Sequence, residues 1–316
     1  MRWKSIWLRG RRGGDASRLW RCAALIEPAV AATLDRFHSP GVIVSNDELS
    51  RRNFVGASVA VAAATGVPQT ARAADLPRQA GSRTPQLFAT GGGFFAQAWE
   101  KSVFPEYLLA LTPAKSPKIC FLGPASGESA SDYDAFARGF QSYDCRVSHF
   151  NIYLPQTMDF AGYLQSMDIV YVGGGSTKNL MALWREWKFD EALRVAWQNG
   201  VVMSGTSAGM ICWFQSGLTD SFPKELNAVL GTGFLPGSAN PHYNIRPDRK
   251  TRYHQLIAEG SMHSPGLALD QDVGVLYRGT EMVEIVSSRK AAGAYRLTRT
   301  ASGVQETPLS VRYLGV

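Results

Sequence analysis

One short segment, residues 201–209, places the tightest limit on how this chain folds. An apolar run of strand type leads directly into G-x-S-x-G, and a helix-compatible run follows at 210–214. A serine on a strained strand-to-helix turn presents its hydroxyl outward, and its neighbours have to be small so that the chain can fold back. The order strand, turn, helix therefore predicts a nucleophile elbow centred on Ser207, with an ordinary tight turn as the alternative.

The rest of the chain after residue 85 alternates strand-length apolar runs with helix-length segments. Strands are predicted at 86–90, 118–122, 146–150, 168–172 and 201–204, with helices at 96–111, 131–143, 160–165 and up to 199. This alternation predicts an α/β fold: a doubly wound, mostly parallel sheet with helices on both faces. Short strands at 267–272, 273–277, 282–287 and 294–298 predict a C-terminal antiparallel extension.

Three glycine-rich turns follow predicted strands, at 91–93, at 173–175 and at the elbow. Ligands of open α/β sheets bind beyond the carboxyl ends of the strands. We therefore expect the three turns to meet around one crevice. Neither G-G-G run matches G-x-G-x-x-G or a P-loop, which argues against a nucleotide as the ligand.

The formal charge of +7 is concentrated at one end of the chain. Residues 1–73 hold eleven Lys or Arg against five Asp or Glu, a net charge of +6, which leaves +1 for the remainder. A nearly neutral folded part shows no basic face for nucleic acid, so we expect no nucleic-acid partner.

The N-terminal region resembles an export signal. Residues 50–56, SRRNFVG, look like a twin-arginine motif, an apolar run follows at 57–67, and Ala71-Arg72-Ala73 fits a cleavage site. The apolar run is too short for a permanent membrane anchor. We expect 1–44 to be an over-extended or disordered N-terminus with the true start near Val42 or Val44, 45–73 to be the signal, and 74–316 to be one catalytic domain. The precursor would then use the twin-arginine machinery and reach the periplasm or the medium; if the signal is not used, the protein stays in the cytoplasm.

The four cysteines, Cys22, Cys120, Cys145 and Cys212, lack C-x-x-C spacing, which argues against a zinc or redox site. Cys120 and Cys145 fall on or next to predicted strands, and buried thiols are favoured over a disulfide between them. We expect neither a metal nor a cofactor.

Four motifs occur in a fixed order along the chain: residues 173–177, GGGST, after a strand, the elbow at 205–209, Thr219-Asp220-Ser221, and Asn240-Pro241-His242-Tyr243. Together they resemble the peptidase E (aspartyl dipeptidase) and cyanophycinase family of serine peptidases. The resemblance covers nearly all of residues 86–316. It implies a fold like that of the class I glutamine amidotransferases, with serine in place of the cysteine nucleophile.

The resemblance also assigns roles to individual residues. Ser207 is the nucleophile and His242 its general base, because a neutral serine needs an imidazole to take its proton. Backbone N–H groups of Ala208 and of Gly174 or Gly175 form the oxyanion hole. His149, His254 and His263 are expected to be structural or exposed.

The third member of the triad is left open. The family places a carboxylate where this chain has Gln271, and a glutamine orients an imidazole without stabilising imidazolium as an anion does. Asp270 and Asp272 flank that position, and Asp220 corresponds to an acid also implicated in the family. An isolated Asp is more often a turn or surface residue.

Three arginines follow His242 and are candidates to bind an acidic substrate. Arg252 is the first choice, since its Lys-Thr-Arg segment resembles that of the family; Arg246 and Arg249 are the others, and an exposed basic helix face is the alternative. Asn240 is a further candidate for substrate binding.

These features predict a dipeptidase-like serine exopeptidase that acts on small peptides through an acyl-enzyme, with Asp-Xaa as a candidate substrate. One alternative is a cyanophycinase-like hydrolase of β-linked Asp-Arg peptides. Another is an inactive binding protein of the same fold, which Gln271 favours and the intact Ser207 and His242 oppose.

Overall fold

The structure, a computed structural model, describes residues 84–94 and 103–315 of the 316-residue chain. These residues fall within one unit of the chain, Ala71–Val316. The predicted export signal, both predicted domain boundaries, the start of the predicted helix at 96 and Cys22 lie outside the described residues, so they stay predictions.

Within the described ranges, the chain forms strands that divide between two sheets. In chain order they are β1 (Gln86–Thr90), β2 (Lys118–Leu122), β3 (Arg146–His149), β4 (Ile169–Val172), β5 (Val202–Thr206), β6 (Phe214–Phe222), β7 (Glu225–Leu230), β8 (Leu235–Asn240), β9 (Gly266–Leu269), β10 (Val273–Arg278), β11 (Glu281–Ser287), β12 (Ala294–Thr300), β13 (Gly303–Leu309) and β14 (Arg312–Tyr313).

The helices follow the alternation that the sequence predicts. They are α1 (Phe104–Leu109), α2 (Ala130–Phe140), α3 (Phe160–Gln165), α4 (Thr177–Glu186), α5 (Phe189–Gln198), α6 (Ala208–Ile211) and α7 (Pro247–Glu259), with a short 3₁₀ turn at Pro124–Ser126. Side-chain caps fix where several of them begin. Ser129, Asp159 and Ser176 each accept a backbone N–H from the first turn of α2, α3 and α4, respectively.

The larger sheet has the order β14-β11-β10-β1-β5-β4-β2-β3. The five strands from β1 to β3 in that order are parallel, and β10 and β11 continue the sheet in antiparallel pairing. The predicted α/β class with a mostly parallel sheet is therefore confirmed, and the strands predicted at 273–277 and 282–287 are its antiparallel extension.

A second sheet, in the order β13-β12-β9-β8-β6-β7, is not predicted by the sequence. Its strands β6, β7 and β8 follow the elbow, and the strands predicted at 267–272 and 294–298 join it as β9 and β12. The prediction of a helix at 210–214 is partly wrong, because α6 ends at Ile211 and β6 begins at Phe214. Strand pairing with β7 and β8 overrides the local preference of this apolar run.

Apolar side chains cover both faces of the larger sheet. Successive residues of a strand point to opposite faces, so Leu87 and Ala89 pack on one side of β1 while Phe88 packs on the other. Helices α3, α4, α5 and α6 cover the first side, and α1 and α2 cover the second. Burial on both faces explains why the strands are nearly continuous apolar runs.

The cysteines that the structure describes are free thiols. Cys120 and Cys212 are buried and Cys145 is half-buried, in agreement with the favoured interpretation. Burial raises the pKa of the Cys120 thiol to about 12, so this group is inert at neutral pH. Among the described helices, none combines the length and apolar character needed to cross a bilayer.

We predict that Trp184→Ala strongly destabilises the fold. The Trp184 side chain is fully buried between Trp213 and Phe189, with ring centroids 5.7 and 6.1 Å away. Removing it leaves a large cavity, at a cost of about 3–5 kcal/mol in the free energy of unfolding, measured by urea titration. The control Leu154→Ala, at a side chain that is 78% exposed, is expected to stay within about 0.5 kcal/mol. Equal losses in the two variants would contradict this account of the core.

Candidate active site

Three glycine turns meet at the carboxyl ends of β1, β4 and β5, which are neighbours in the larger sheet. The Ser207 N–H donates to the carbonyl of Thr90 at 3.2 Å, which joins the elbow to the turn after β1. A Cβ built on Gly174 would lie 3.3 Å from the Cβ of Ser207, so the turn after β4 also reaches the elbow. The three turns therefore meet, as expected, and Ser207 lies where they come together.

The elbow holds Ser207 in a strained backbone conformation. Its φ and ψ are 57° and −112°, a combination that a residue with a side chain adopts only when its surroundings impose it. The flanking glycines supply the room: a Cβ on Gly205 would overlap the carbonyl of Gly209, and one on Gly209 would overlap the carbonyl of Val172. This packing explains both glycines of G-x-S-x-G.

Ala208 is the first residue of α6, so its N–H is one of the helix donors without a partner inside the helix. Gly174 faces the Ser207 side chain, whereas Gly175, with a φ of 126°, packs against the backbone of Ala125. Of the two predicted glycines, Gly174 therefore has the closer contact with the serine.

His242 comes to the same place from the end of β8. Its N–H donates to the carbonyl of Gly91 at 2.9 Å, and its φ is 55°. Its ring covers Gly92: a Cβ there would lie 2.6 Å from Cε1 and 2.7 Å from Nδ1. Only a glycine leaves room for the imidazole at this position. Nothing in the sequence alone distinguishes Gly92 from its two neighbouring glycines.

The surroundings of His242 favour its neutral form. Burial and the nearby Arg249 charge lower the pKa of the imidazole, while a side-chain hydrogen bond with Gln271 and the charge of Asp220 act in the opposite direction. A neutral imidazole is the form that can accept a proton.

The loop after β9 presents Gln271, and not its neighbours, to the imidazole. The Gln271 N–H donates to the Asn244 side chain at 2.9 Å, and the Gln271 Cγ lies 3.3 Å from the position of a Cβ on Gly92. The two flanking acids have other partners. The Asp270 carboxylate accepts the Gly293 N–H at 2.8 Å, and Asp272 forms an ion pair with Arg289 at 2.7 Å. Asn244 has no distinguishing signal in the sequence.

Asp220, the other candidate acid, forms an ion pair with a buried arginine. Its carboxylate accepts from Arg249 Nη2 at 3.0 Å, and the Asp220 side chain is 55% exposed whereas that of Arg249 is 4% exposed. Arg249 Nη1 also donates to the Asn240 side chain and to the Pro241 carbonyl, both at 3.3 Å. Asn240 is fully buried in this contact, so it supports the arginine and is not open to a substrate.

The other two arginines, Arg252 in α7 and Arg246 immediately before this helix, have partners away from His242. Arg252, the first choice of the sequence interpretation, donates to the Leu226 carbonyl in β7 at 3.1 Å and to Gln255. Arg246 pairs with Asp248. The position of Arg249 along α7 places its side chain on the helix face toward the end of β8. The sequence motif alone does not reveal which arginine lies on this face.

The remaining described histidines have structural contacts. His149 pairs with Glu128 at 2.6 Å, His254 pairs with Glu306 at 2.6 Å, and His263 bonds to Ser216 at 3.0 Å. No group of three or more His, Cys, Asp or Glu within the described ranges has the arrangement of a metal site.

The chain is similar to a known peptidase family, to a bacterial protein and to a solved structure. The sequence model described as Peptidase family S51 matches residues 87–285. A protein of Bacillus subtilis (strain 168), named "Uncharacterized peptidase YgaJ", is 42% identical over 230 residues, which are 73% of this chain and 99% of that protein. The crystal structure of a peptidase from an acI-B1 Actinobacterium covers 73% of this chain and 96% of its own, with 16% identity and a TM-score of 0.56, a likeness of fold.

We predict that Gly92→Ala displaces the His242 ring. The methyl group would overlap Cε1 and Nδ1, so the imidazole moves toward solvent and its lowered pKa rises toward the ordinary value. Histidine titration followed by NMR measures this shift. The control is Gly303→Ala, because Gly303 has a φ of 131° close to the 138° of Gly92 but has open space around it.

Both variants are expected to lose about 1–3 kcal/mol of unfolding free energy from backbone strain. Only Gly92→Ala should change the titration of His242. A normal His242 titration in that variant would show that the ring does not lie over Gly92.

Proposed function

Because the chain belongs to peptidase family S51, we propose that this peptidase is a serine peptidase of small peptides, with Ser207 as nucleophile and His242 as general base. The observation that carries the proposal is a shared support. Ser207 and His242 donate their N–H groups to the consecutive carbonyls of Thr90 and Gly91, at 3.2 and 2.9 Å. One short turn therefore holds the Ser207 loop and the His242 loop at one place.

The proposed reaction begins with proton transfer. The neutral His242 imidazole takes the proton of the Ser207 hydroxyl while the Ser207 oxygen attacks the carbonyl carbon of the peptide bond. The oxyanion that forms accepts hydrogen bonds from the Ala208 N–H and from the turn at 173–175, where the approach of Gly174 to Ser207 favours that residue. Imidazolium then protonates the leaving amine, and water hydrolyses the acyl-enzyme by the reverse sequence of proton transfers.

We assign the third position to Gln271, as a residue that positions the imidazole. Its side chain lies beside the His242 ring at Gly92 and raises the pKa of the imidazole, whereas the Asp270 and Asp272 carboxylates bond to Gly293 and Arg289. A neutral amide orients the ring and adds no charge. Gln271 and the Asp220 charge raise the pKa of His242, but burial, the largest effect, and the Arg249 charge keep it below its ordinary value.

Small peptides are the proposed substrates, in line with the dipeptidase-like sequence motifs. The preference for Asp-Xaa receives no support from the three arginines, because Arg246 and Arg249 are paired with carboxylates and Arg252 is bonded to β7. A panel of dipeptides and aminoacyl amides, with a β-aspartyl-arginine dipeptide included for the alternative function, tests the substrate class directly.

We predict that Ser207→Ala abolishes peptide hydrolysis and that Ser204→Ala does not. Loss of the nucleophile should lower kcat by more than about 10³-fold on the best substrate of the panel. Ser204 is the matched control because it lies on β5, the strand that leads into the elbow, is fully buried, and has a hydroxyl without a hydrogen-bond partner. Hydrolysis at the wild-type rate in Ser207→Ala would contradict the proposed function.

We predict that Gln271→Glu moves the acid limb of the pH profile of kcat/KM upward by about one pH unit. A carboxylate beside the ring favours imidazolium, so the pKa of His242 rises and the base is lost at a higher pH. Asn244→Asp adds the same charge next to this loop while keeping the oxygen that accepts the Gln271 N–H, so its shift should be smaller. Equal shifts in the two variants would show that Gln271 does not contact the imidazole.

A further inference from the structure

The residue after His242 is tied to a part of the chain that the proposed mechanism does not use. The Tyr243 ring is buried, its N–H donates to the Leu269 carbonyl at 3.0 Å, and its hydroxyl donates to the Glu306 carboxylate at 2.7 Å. Glu306 lies on β13, 63 residues further along the chain. A backbone bond and a side-chain bond therefore fix the residue next to the proposed base.

Glu306 also holds the helix that supports the other side of His242. Its carboxylate accepts from His254 Nε2 at 2.6 Å and from Lys250 Nζ at 2.7 Å, two donors that lie one turn apart on α7. The same helix carries Arg249, which donates to the carbonyl of the residue before His242. Glu306 is thus bonded to the residue after the proposed base and to the helix that contacts the residue before it.

The donors around Glu306 keep its carboxyl ionised. Burial raises the pKa of this group, but hydrogen bonds from Lys250, Tyr243 and His254 outweigh burial and hold the pKa below its ordinary value. Titratable groups from α7, from β12 and from the loops after β8 and β9 face this cluster: Lys250, His254, Tyr295, Tyr243 and Asp270. A carboxylate that accepts from three donors at once, two of them on one helix, is a rigid anchor.

The loop of His242 needs such an anchor because its backbone is strained. The φ of His242 is 55°, a conformation that a residue with a side chain keeps only when its surroundings impose it. The Gly91 carbonyl holds the His242 N–H, and the Tyr243 hydroxyl holds the residue that follows. If the Tyr243 hydroxyl lost its partner, the loop could relax. The imidazole would then leave its place over Gly92 and become more accessible to water.

We infer that Glu306 is a positioning residue, which acts through Tyr243 to hold the His242 imidazole in place for proton transfer. The inference rests on the proposed function and extends its machinery to β13, a strand of the second sheet. Displacing a reacting group by about 1 Å can lower a rate by about 10²-fold. Glu306 and Tyr243 therefore act on the chemical step and not on the binding of the substrate.

Tyr243→Phe removes only the hydroxyl that reaches Glu306. On the best substrate of the panel it should lower kcat at least about tenfold and leave KM within about twofold. Tyr107→Phe is the matched control. The Tyr107 hydroxyl also donates to a carboxylate at 2.7 Å, that of Glu284, which accepts from Arg312 Nε as well, in a group that joins α1 to β11. The control should leave both constants unchanged, and equal kcat values in the two variants would overturn the inference.

Two substitutions of Glu306 test whether the hydroxyl acts through this carboxylate. Glu306→Ala should fold, because Lys250 and His254 are 54% and 30% exposed and water can solvate both. It should lower kcat at least as much as Tyr243→Phe, and combining the two should cause no further loss, since the hydroxyl then has no partner to lose. Glu306→Gln keeps an oxygen that accepts the hydroxyl and should be faster than Glu306→Ala. Losses that multiply in the double variant, or a Gln variant as slow as the Ala variant, would overturn the inference.

Titration of His242 followed by NMR separates this inference from the proposed function, because it needs no substrate. In Tyr243→Phe the imidazole gains water while the Arg249 and Asp220 charges stay in place, so its lowered pKa should rise toward about 6.5. Tyr107→Phe should leave it unchanged. A hydroxyl that only stabilises the fold would change the free energy of unfolding and not this pKa. An unchanged pKa in Tyr243→Phe would overturn the inference, whereas a wild-type protein that hydrolyses no peptide would contradict the proposed function.

Discussion

Four backbone hydrogen bonds to the turn after β1 hold the whole site together. The Thr90 carbonyl accepts from Ser207, the Gly91 carbonyl from His242 and the Gly92 carbonyl from Asp272, while the Gly91 N–H donates to Val273. Backbone N–H and carbonyl groups buried at such a junction have to be hydrogen-bonded. Because the loops supply the partners of the groups in this turn, the hydrogen bonds fix the position of each loop. The proposed catalytic residues follow strands of two different sheets, Ser207 after β5 and His242 after β8. Their common hydrogen bonds to this turn set their position relative to one another.

The glycines of this junction follow from the same constraint. The loops approach so closely that a Cβ on Gly91 would overlap the Asp270 carbonyl, and a Cβ on Gly92 would strike the His242 ring. The strain of Ser207, at a φ of 57°, and of His242, at a φ of 55°, is tolerated because the surrounding contacts leave no relaxed alternative. Strain of this kind is common where a side chain has to be held ready for chemistry.

The sequence predicts the parts of this protein that local patterns encode. The parallel strands are nearly continuous apolar runs, and the elbow at 205–209 has the glycines that its packing requires, so both are found where expected. The second sheet is missed because β6 begins at Phe214, within an apolar run that suits a helix equally well, and its pairing with β7 and β8 makes it a strand. Strand pairing also explains why α6 ends at Ile211, three residues before the end of the predicted helical run.

The sequence predicts which residues come together at the candidate site only in part. Ser207 and His242, the proposed nucleophile and base, are identified from their motifs, and both bond to the turn after β1. The partner of the imidazole and the orientation of the arginines depend on the phase of α7 and on the path of the loop after β9, and no short-range pattern specifies either. Arg249 and Arg252 are three residues apart, yet one bonds to the segment before His242 and the other to β7. Charge at the site is consequently set by Asp220 and Arg249 together.

The most direct test of this account is covalent labelling of Ser207 with a fluorophosphonate, read by mass spectrometry of the intact protein and of its proteolytic fragments. An activated serine attacks phosphorus and displaces fluoride, which leaves one phosphonyl group on the oxygen. The account predicts a single adduct on Ser207 in the folded protein, absent from protein unfolded in urea before labelling. A folded protein that takes up no label, or that takes it up on a different residue, would contradict the proposal that Ser207 is the nucleophile.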